Sequence, residues 1–183
     1  LNIHKVLYHC ADLEMNPRNI LPNAKKKAIR ILGISDHNST RQCKTMKELA
    51  AEENIFILCG AEVTTKEEVH CLVFFEKQEQ LDEFEQYIDN HLADMKNDPD
   101  KFGHQVVVDK EEMILEQPEK LLISATDLSI GDLEKAVHQR NGLFIPAHID
   151  RVRNGVLGML GFIPPDLEYD ALELSRFTDY KTF

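Results

Sequence analysis

The sequence predicts a single α/β domain, because apolar runs of strand length alternate with amphipathic helical segments along its 183 residues. Three of these runs end abruptly in side chains that can bind a metal ion. The runs lie at residues 31–35, 55–61 and 143–147, and the polar residues that end them are Asp36, His37, Glu62 and His148. Polar groups at the carboxyl ends of buried strands mark the active face of an α/β barrel or open sheet. We therefore expect a metal site at one end of an α/β core.

The first third of the chain has the order of parallel crossovers. Asn16 before Pro17 matches an N-cap followed by proline at the first helical position. The order strand, helix, strand, helix, strand predicts parallel pairing with helices packed on the sheet. We expect these elements at residues 1–7, 16–30, 31–35, 44–53 and 55–61.

A hairpin is expected after Glu62, because residues 64–68 are too few for a crossover helix and the apolar run 69–75 begins at once. If the turn centres on Lys66, Glu62 and His70 are directly opposed across an antiparallel pair. Side chains in that relation have Cβ atoms about 4.5–5.5 Å apart. Two residues of ligand type would then point into the same space.

The remainder of the chain predicts further helices and strands around one excursion. An amphipathic helix with an acidic outer face is expected at residues 80–95. Glycine and proline residues interrupt the segment 97–121. This pattern predicts a β-arm or lid that extends away from the core. Ser129 begins a helix in a capping-box pattern, and that helix is expected to end at residues 141–142. A short helix at 152–161 and a strand at 171–174 complete the expected elements.

Composition constrains the location and the partners. The formal net charge of −11, from 32 acidic and 21 basic residues, argues against a long nucleic acid or an anionic membrane as partner. The absence of an 18-residue apolar stretch and of a signal-peptide pattern predicts a soluble, cytoplasmic protein. Four cysteines without C-x-x-C spacing are expected to be reduced thiols. Composition does not indicate the oligomeric state.

Candidate metal ligands recur at or near the ends of the predicted strands: His4, Asp36, His37, Glu62, His70 and His148. Imidazole with carboxylate suits zinc, manganese or iron, and a carboxylate can bridge two ions about 3.5–4 Å apart. Hydroxide formed on such ions at neutral pH would attack phosphorus. One histidine beside a strand is more often structural, but the joint placement at strand ends favours a metal site.

These segments resemble the PHP family, named for polymerases and histidinol phosphatases. The resemblance is carried, in the family's order, by Asn2-Ile3-His4, Cys10-Ala11-Asp12, Ile34-Ser35-Asp36-His37-Asn38, Cys59-Gly60-Ala61-Glu62-Val63, Val69-His70 and Pro146-Ala147-His148. It implies that residues 1–183 form one domain, a distorted seven-stranded (β/α) barrel with two or three divalent ions of zinc, manganese or iron. It further implies that Glu62 bridges metals, that His70 and His148 complete one ion, and that His4 and His37 bind others.

The chain departs from the family pattern in two places. Asn2 stands where the family has its first histidine, and the family's final Asp-x-His, expected after the strand around Glu173, is absent. The fold is therefore expected to be incomplete at the C-terminus, and either the chain is truncated or metal binding is weakened. Whether His9 or Cys10 reaches an ion is left open.

The resemblance and the ligand set together imply metal-dependent hydrolysis of a small phosphomonoester or short nucleotide by metal-activated hydroxide, with Glu62 and Arg151 as catalytic residues. Arg151 follows His148 by three residues and could grip two phosphate oxygens, or it could pair with Asp150 at the surface. Lys5 could face phosphate or solvent. The alternative is a non-catalytic PHP-like metal-binding or scaffold module with a degenerate site.

Overall fold

Six helices and six strands are assigned within residues 16–175, the part of the chain that the computed structural model describes. The helices are α1 (Pro17–Lys26), α2 (Cys43–Ala51), α3 (Gln78–His91), α4 (Pro99–Phe102), α5 (Ile130–His138) and α6 (Val156–Leu160). The strands are β1 (Ile31–His37), β2 (Phe56–Thr64), β3 (His70–Phe75), β4 (Val107–Val108), β5 (Ile114–Glu116) and β6 (Leu143–Pro146). The strand predicted at residues 1–7 lies outside the described residues.

The main sheet is mixed and has the order β1-β2-β3-β6. Strands β1 and β2 are parallel and are joined by α2, as the predicted crossover requires. Strands β3 and β6 each run antiparallel to their neighbours. The α/β class is thus confirmed, whereas the seven-stranded barrel is not, because the sheet found among residues 16–175 has four strands and does not close.

The β2–β3 hairpin has a different register from the predicted one. Glu62 is paired with Leu72, and His70 is paired with Thr64. The turn closes with a hydrogen bond of 2.9 Å from the N–H of Thr65 to the carbonyl of Val69, so it centres one residue beyond Lys66. The predicted direct opposition of Glu62 and His70 is therefore wrong. They are diagonal neighbours on one face, which still lets their side chains meet.

The core forms where α2 and α3 pack against the sheet. Met46 and Ala50 of α2 are buried, as their helical spacing predicts. From α3, Leu81, Phe84 and Ile88 are buried, and the Phe84 ring lies 4.7 Å from that of Phe75. Helix α3 ends at His91, so Met95, which was predicted to extend it, is 52% exposed. The thiols of Cys43, Cys59 and Cys71 are free and buried, as expected.

Residues 97–121 contain α4 and a separate two-stranded sheet formed by β4 and β5. The amide of Gln42 joins this segment to the core, since its Nε2 donates to the carbonyl of Val108 and its Oε1 accepts from the N–H of Val108, both at 2.9 Å. This reciprocal pair of buried hydrogen bonds holds β4 of the segment against the core.

The strand predicted at residues 171–174 is not formed. The backbone N–H groups of Asp170 and Glu173 instead donate single hydrogen bonds to the carbonyls of Phe144 and Pro146, at 3.0 and 3.1 Å. This segment lies beside β6 without a continuous ladder.

Helix α6 is also shorter than predicted, because residues 151–155 form a turn before it. None of the helices in the described part of the chain has the length and apolar character needed to cross a bilayer.

Candidate metal centre

Four predicted ligands, His37, Glu62, His70 and His148, meet at one end of the sheet, and we call them the ligand cluster. His37 ends β1 and is paired with Glu62 in the parallel register of β1 and β2. His70 begins the antiparallel strand β3, and its carbonyl accepts the N–H of Ala147 at 3.0 Å, which places His148 beside it. The strand directions therefore bring residues from four separate segments together.

Glu62 lies at the centre of the ligand cluster. Its Oε1 atom is 3.1 Å from Nδ1 of His70 and 3.2 Å from Nε2 of His148, and its Oε2 atom is 3.8 Å from Nδ1 of His37. The ring centroid of His70 lies 5.3 Å from those of both His37 and His148. One ligand atom each from His37, Glu62 and His70 can be chosen so that all lie within 4.8 Å of one another.

The electrostatics of the cluster keep Glu62 ionised. Burial alone would raise the pKa of its carboxyl group, but hydrogen bonds with His148 and His70 and the charge of His37 lower that pKa well below its usual range. A carboxylate that stays charged at neutral pH among three imidazoles is an oxygen ligand that a divalent cation can use.

The residues present fit a divalent metal ion. The Nδ1 atoms of His37 and His148 are buried and have no hydrogen-bond partner among residues 16–175. An unsatisfied buried polar atom costs about 1–3 kcal/mol. At Nδ1 of His37, which faces Oε2 of Glu62, a bound cation would offset that cost. Nitrogen donors with one carboxylate are typical ligands of zinc, manganese and iron.

The backbone of His148 is held by a residue that the sequence did not identify as part of the site. His148 has a φ of 30°, in the left-handed region that non-glycine residues seldom adopt. Its N–H donates to Oε2 of Glu173 at 2.9 Å, and the next N–H, of Ile149, donates to the carbonyl of Glu173 at 2.9 Å. These two hydrogen bonds to Glu173 therefore hold the backbone that carries the His148 side chain.

Asp36 does not join the ligand cluster. It precedes His37 in β1, and successive side chains of a strand point to opposite faces. Hydrogen bonding with Cys59 and burial raise the pKa of the Cys43 thiol, and the charge of Asp36 adds to that rise. Asp36 therefore acts on the α2 side of the sheet rather than beside Glu62.

The turn 151–155 lies against the ligand cluster. The carbonyl of Asn154 accepts the N–H of His70 at 2.9 Å, and the Asn154 amide donates to the carbonyl of Glu68 at 3.0 Å. Arg151 is exposed on this turn. Asp150, the residue before it, accepts from the N–H and the hydroxyl of Ser175.

The remaining predicted site residues, His4, Lys5, His9 and Cys10, lie outside the described residues. The possible ligands at the start of the chain therefore stay predictions.

A second histidine with carboxylate partners was not predicted. The Nδ1 atom of His138 lies 2.6 Å from Oε1 of Glu134, and its Nε2 atom lies 3.2 Å from Oδ2 of Asp170. Glu168 lies near enough to offer a third ligand atom beside Glu134 and His138. Both ring nitrogens of His138 already have partners, so this group is an ion-paired brace between α5 and the segment beside β6. The i, i+4 spacing of Glu134 and His138 was the available sequence signal.

Comparison with known proteins connects this geometry to a family. A family model described as the PHP domain matches residues 1–167. An uncharacterised protein of Methanocaldococcus jannaschii is 43% identical over 56 residues, which cover 31% of this chain and 33% of that protein. The match thus covers about a third of this curated relative.

Solved structures share the fold. The lesion-specific endonuclease Q of Pyrococcus furiosus superposes with a TM-score of 0.68 at 16% identity, over 98% of this chain and 42% of that chain. A complex of endonuclease Q with a 27-mer duplex substrate carrying an abasic lesion gives 0.65 at 17% identity, with the same coverage. A Bifidobacterium adolescentis protein assigned as a metal-dependent phosphoesterase gives 0.57 at 18% identity, over 86% of this chain and 71% of that one.

The expectation that long nucleic acids are excluded is wrong, because this fold occurs in an endonuclease crystallised with a duplex substrate. That expectation rested on the net charge of −11. A net charge is a sum over the whole surface, whereas binding depends on the local field at one face. A chain that is acidic overall can therefore carry a face that binds phosphates.

Proposed function

Because this chain belongs to the PHP domain family, we propose that it is a metal-dependent phosphoester hydrolase whose reaction takes place at the ligand cluster. The observation that carries the proposal is the ionised carboxylate of Glu62, which lies within 3.8 Å of three imidazoles from separate segments. The family and the shared fold support the same general reaction.

His37, Glu62, His70 and His148 would hold the ions, with His4 and either His9 or Cys10 as further proposed ligands. Two or three divalent ions of zinc, manganese or iron fit this set. When bound, they supply a Lewis acid for the phosphoryl group and a water molecule of lowered pKa. We also propose that the four-stranded sheet belongs to a seven-stranded barrel, with residues 97–121 as a lid.

The protein's own groups would hold the metal ligands in place and contact the phosphate of the substrate. The N–H of His148 is fixed by Glu173, and the N–H of His70 is fixed by Asn154, so two ligand-bearing backbones are held in place. Arg151 follows His148 by one turn, and its planar guanidinium can bind two phosphate oxygens. Lys5 is the second proposed contact to phosphate.

The leading substrate class is a small phosphomonoester or a short nucleotide. A phosphodiester within a nucleic-acid strand is the second candidate, favoured by the turn 151–155. Arg151 and Arg153 are both exposed there, and they flank Val152, which is 83% exposed. Guanidinium groups contact phosphates, and an apolar side chain can contact a base or a sugar. The composition of the turn therefore suits contact with a nucleic-acid strand.

The test is hydrolysis by the metal-stripped chain after addition of Mn²⁺ or Zn²⁺. The substrates are p-nitrophenyl phosphate, bis-p-nitrophenyl phosphate, AMP and a duplex with one abasic site. We expect turnover of at least one, its loss in EDTA, and a loss of at least about 100-fold in Glu62→Gln. Glu68→Gln, which removes the same charge from an exposed position in the same hairpin, is the matched control. Two or three bound ions without hydrolysis of any substrate would instead support the non-catalytic module.

A further inference from the structure

Asn38 occupies an unusual position at the end of β1. It follows His37 directly, is 1% exposed, and has a φ of 46°. Asparagine tolerates this left-handed conformation better than most residues. Its backbone N–H donates to the carbonyl of Glu62 at 3.0 Å, so the residue lies between the two strands that carry His37 and Glu62.

The side-chain amide of Asn38 connects three segments. Its Nδ2 atom donates to the carbonyls of Leu122 and Ser124, at 2.7 and 2.9 Å. Its Oδ1 atom accepts the N–H of Thr64 at 3.1 Å. Both amide hydrogens and the amide oxygen are therefore used, and a fully satisfied buried network of this kind is rigid.

These bonds lie where the regular sheet stops. The parallel pairing of β1 with β2 ends at His37 and Glu62, so beyond that pair the strands are held together by Asn38. The distance from Nδ1 of His37 to Oε2 of Glu62, 3.8 Å, depends on the relative position of these strand ends. Asn38 is thus placed to set that distance.

Building on the proposed function, we infer that Asn38 is a positioning residue that holds His37 and Glu62 at the separation needed to bind an ion, without contacting the ion or the substrate itself. Neither aspartate nor glycine can replace it. Aspartate would direct an oxygen at the carbonyls of Leu122 and Ser124, and glycine would fit the backbone but lose all three side-chain bonds.

Gln105 offers a matched control. It is also 1% exposed, its Nε2 atom donates to the carbonyls of Pro118 and Lys120, at 3.2 and 2.8 Å, and its Oε1 atom accepts the N–H of Leu122 at 2.8 Å. The Gln105 amide therefore repeats the bonding pattern of Asn38 and holds the same loop. It does so without any bond to β1 or β2.

The experiment compares the full chain with N38D, N38G and Q105E. Zn²⁺ and Mn²⁺ affinities are measured by titration calorimetry well below each melting temperature, and melting is recorded in EDTA. We expect all three variants to melt earlier, because each loses buried hydrogen bonds. Only N38D and N38G should lose ion affinity, by about 10-fold or more, as positioning groups around metal ligands typically do. N38G keeps the backbone conformation, so it provides the test if N38D does not fold.

Two outcomes would overturn the inference: wild-type ion affinity in N38G, or an equal loss of affinity in Q105E. The second result would mean that ion affinity simply follows stability. Failure of the proposed function is recognised by hydrolysis: a wild-type chain that binds ions but hydrolyses no substrate contradicts the proposed function, while the ion affinities of the variants still test the role of Asn38. A wild-type chain that binds no ion overturns both.

Discussion

Glu173 holds His148 from outside the sheet, through a hydrogen bond of 2.9 Å from the His148 N–H to the Glu173 carboxylate. The bond fixes a residue whose φ of 30° is unfavourable for a side chain with a Cβ atom. A carboxylate in an irregular segment therefore stabilises the backbone that presents one of the proposed ligands.

Glu173→Ala should reduce Zn²⁺ affinity by about 10-fold, because His148 loses the acceptor that holds its backbone. Glu173→Gln keeps a side-chain oxygen at the same place and should stay close to the wild type. Titration calorimetry measures both. Equal losses in the two variants would show that the negative charge, rather than the hydrogen bond, is what matters.

Gly60 lies two residues before Glu62 and has no room for a side chain. A Cβ atom there would lie 1.7 Å from the carbonyl oxygen of Val73 and 2.7 Å from the Phe74 ring. Gly60→Ala should lower the free energy of unfolding by about 3 kcal/mol or more, since the backbone of β3 must move. Urea unfolding measures the change.

Gly131→Ala is the control for that substitution. A Cβ atom at Gly131 in α5 would meet nothing within 4 Å. The exchange should raise the free energy of unfolding by about 0.4–1 kcal/mol, because alanine has fewer unfolded conformations to lose than glycine. Equal destabilisation by both alanines would contradict the steric explanation.

His138 should make the stability depend on pH. Burial alone would lower its pKa, but hydrogen bonds with Asp170 and Glu134 raise it overall. A raised pKa in the folded state means that the stabilisation is complete below about 6.5, the ordinary histidine pKa, and is lost as the pH rises through the higher folded value. The stability difference between the wild type and His138→Gln should therefore shrink as the pH rises above about 6.5.

Urea unfolding of these two proteins at several pH values measures that difference. Asp170→Asn removes the charge of one partner and should reduce the pH dependence while keeping an oxygen for the N–H of Phe144. A difference between wild type and His138→Gln that is constant with pH would show that the brace is not charged.

The two arginines of the turn 151–155 distinguish the substrate classes. In R151Q/R153Q, the slope of log affinity against log salt for a duplex should fall by about two, because each phosphate contact contributes about 0.9. R18Q/R30Q removes two other exposed arginines and should leave the slope unchanged. Fluorescence anisotropy in EDTA measures binding without hydrolysis. An unchanged slope in R151Q/R153Q would favour a small substrate.

Much of the strand and helix order could be predicted, because the apolar periodicity of single segments determines it. The parallel pairing of β1 and β2 followed from the intervening helix. The hairpin register did not follow, since it depends on the turn conformation, which includes a φ of 62° at Glu68. The segment 171–174 is strand-like in sequence, yet only isolated hydrogen bonds join it to β6.

The candidate ligands could be located from motifs, but their supports could not. The side chains of Asn38 and Glu173 form hydrogen bonds with backbone groups far away in the sequence, at Leu122 and His148. No local pattern encodes such contacts. The partner prediction failed because charge was summed over the chain, and a sum does not show which charges share one face.

The four members of the ligand cluster come from segments on both sides of the long excursion, so no short peptide of this chain can reproduce the site. A cation bound there would act as a non-covalent cross-link that only the folded state offers, and occupancy would add directly to conformational stability. Metal starvation would consequently shorten the lifetime of the whole domain against proteolysis.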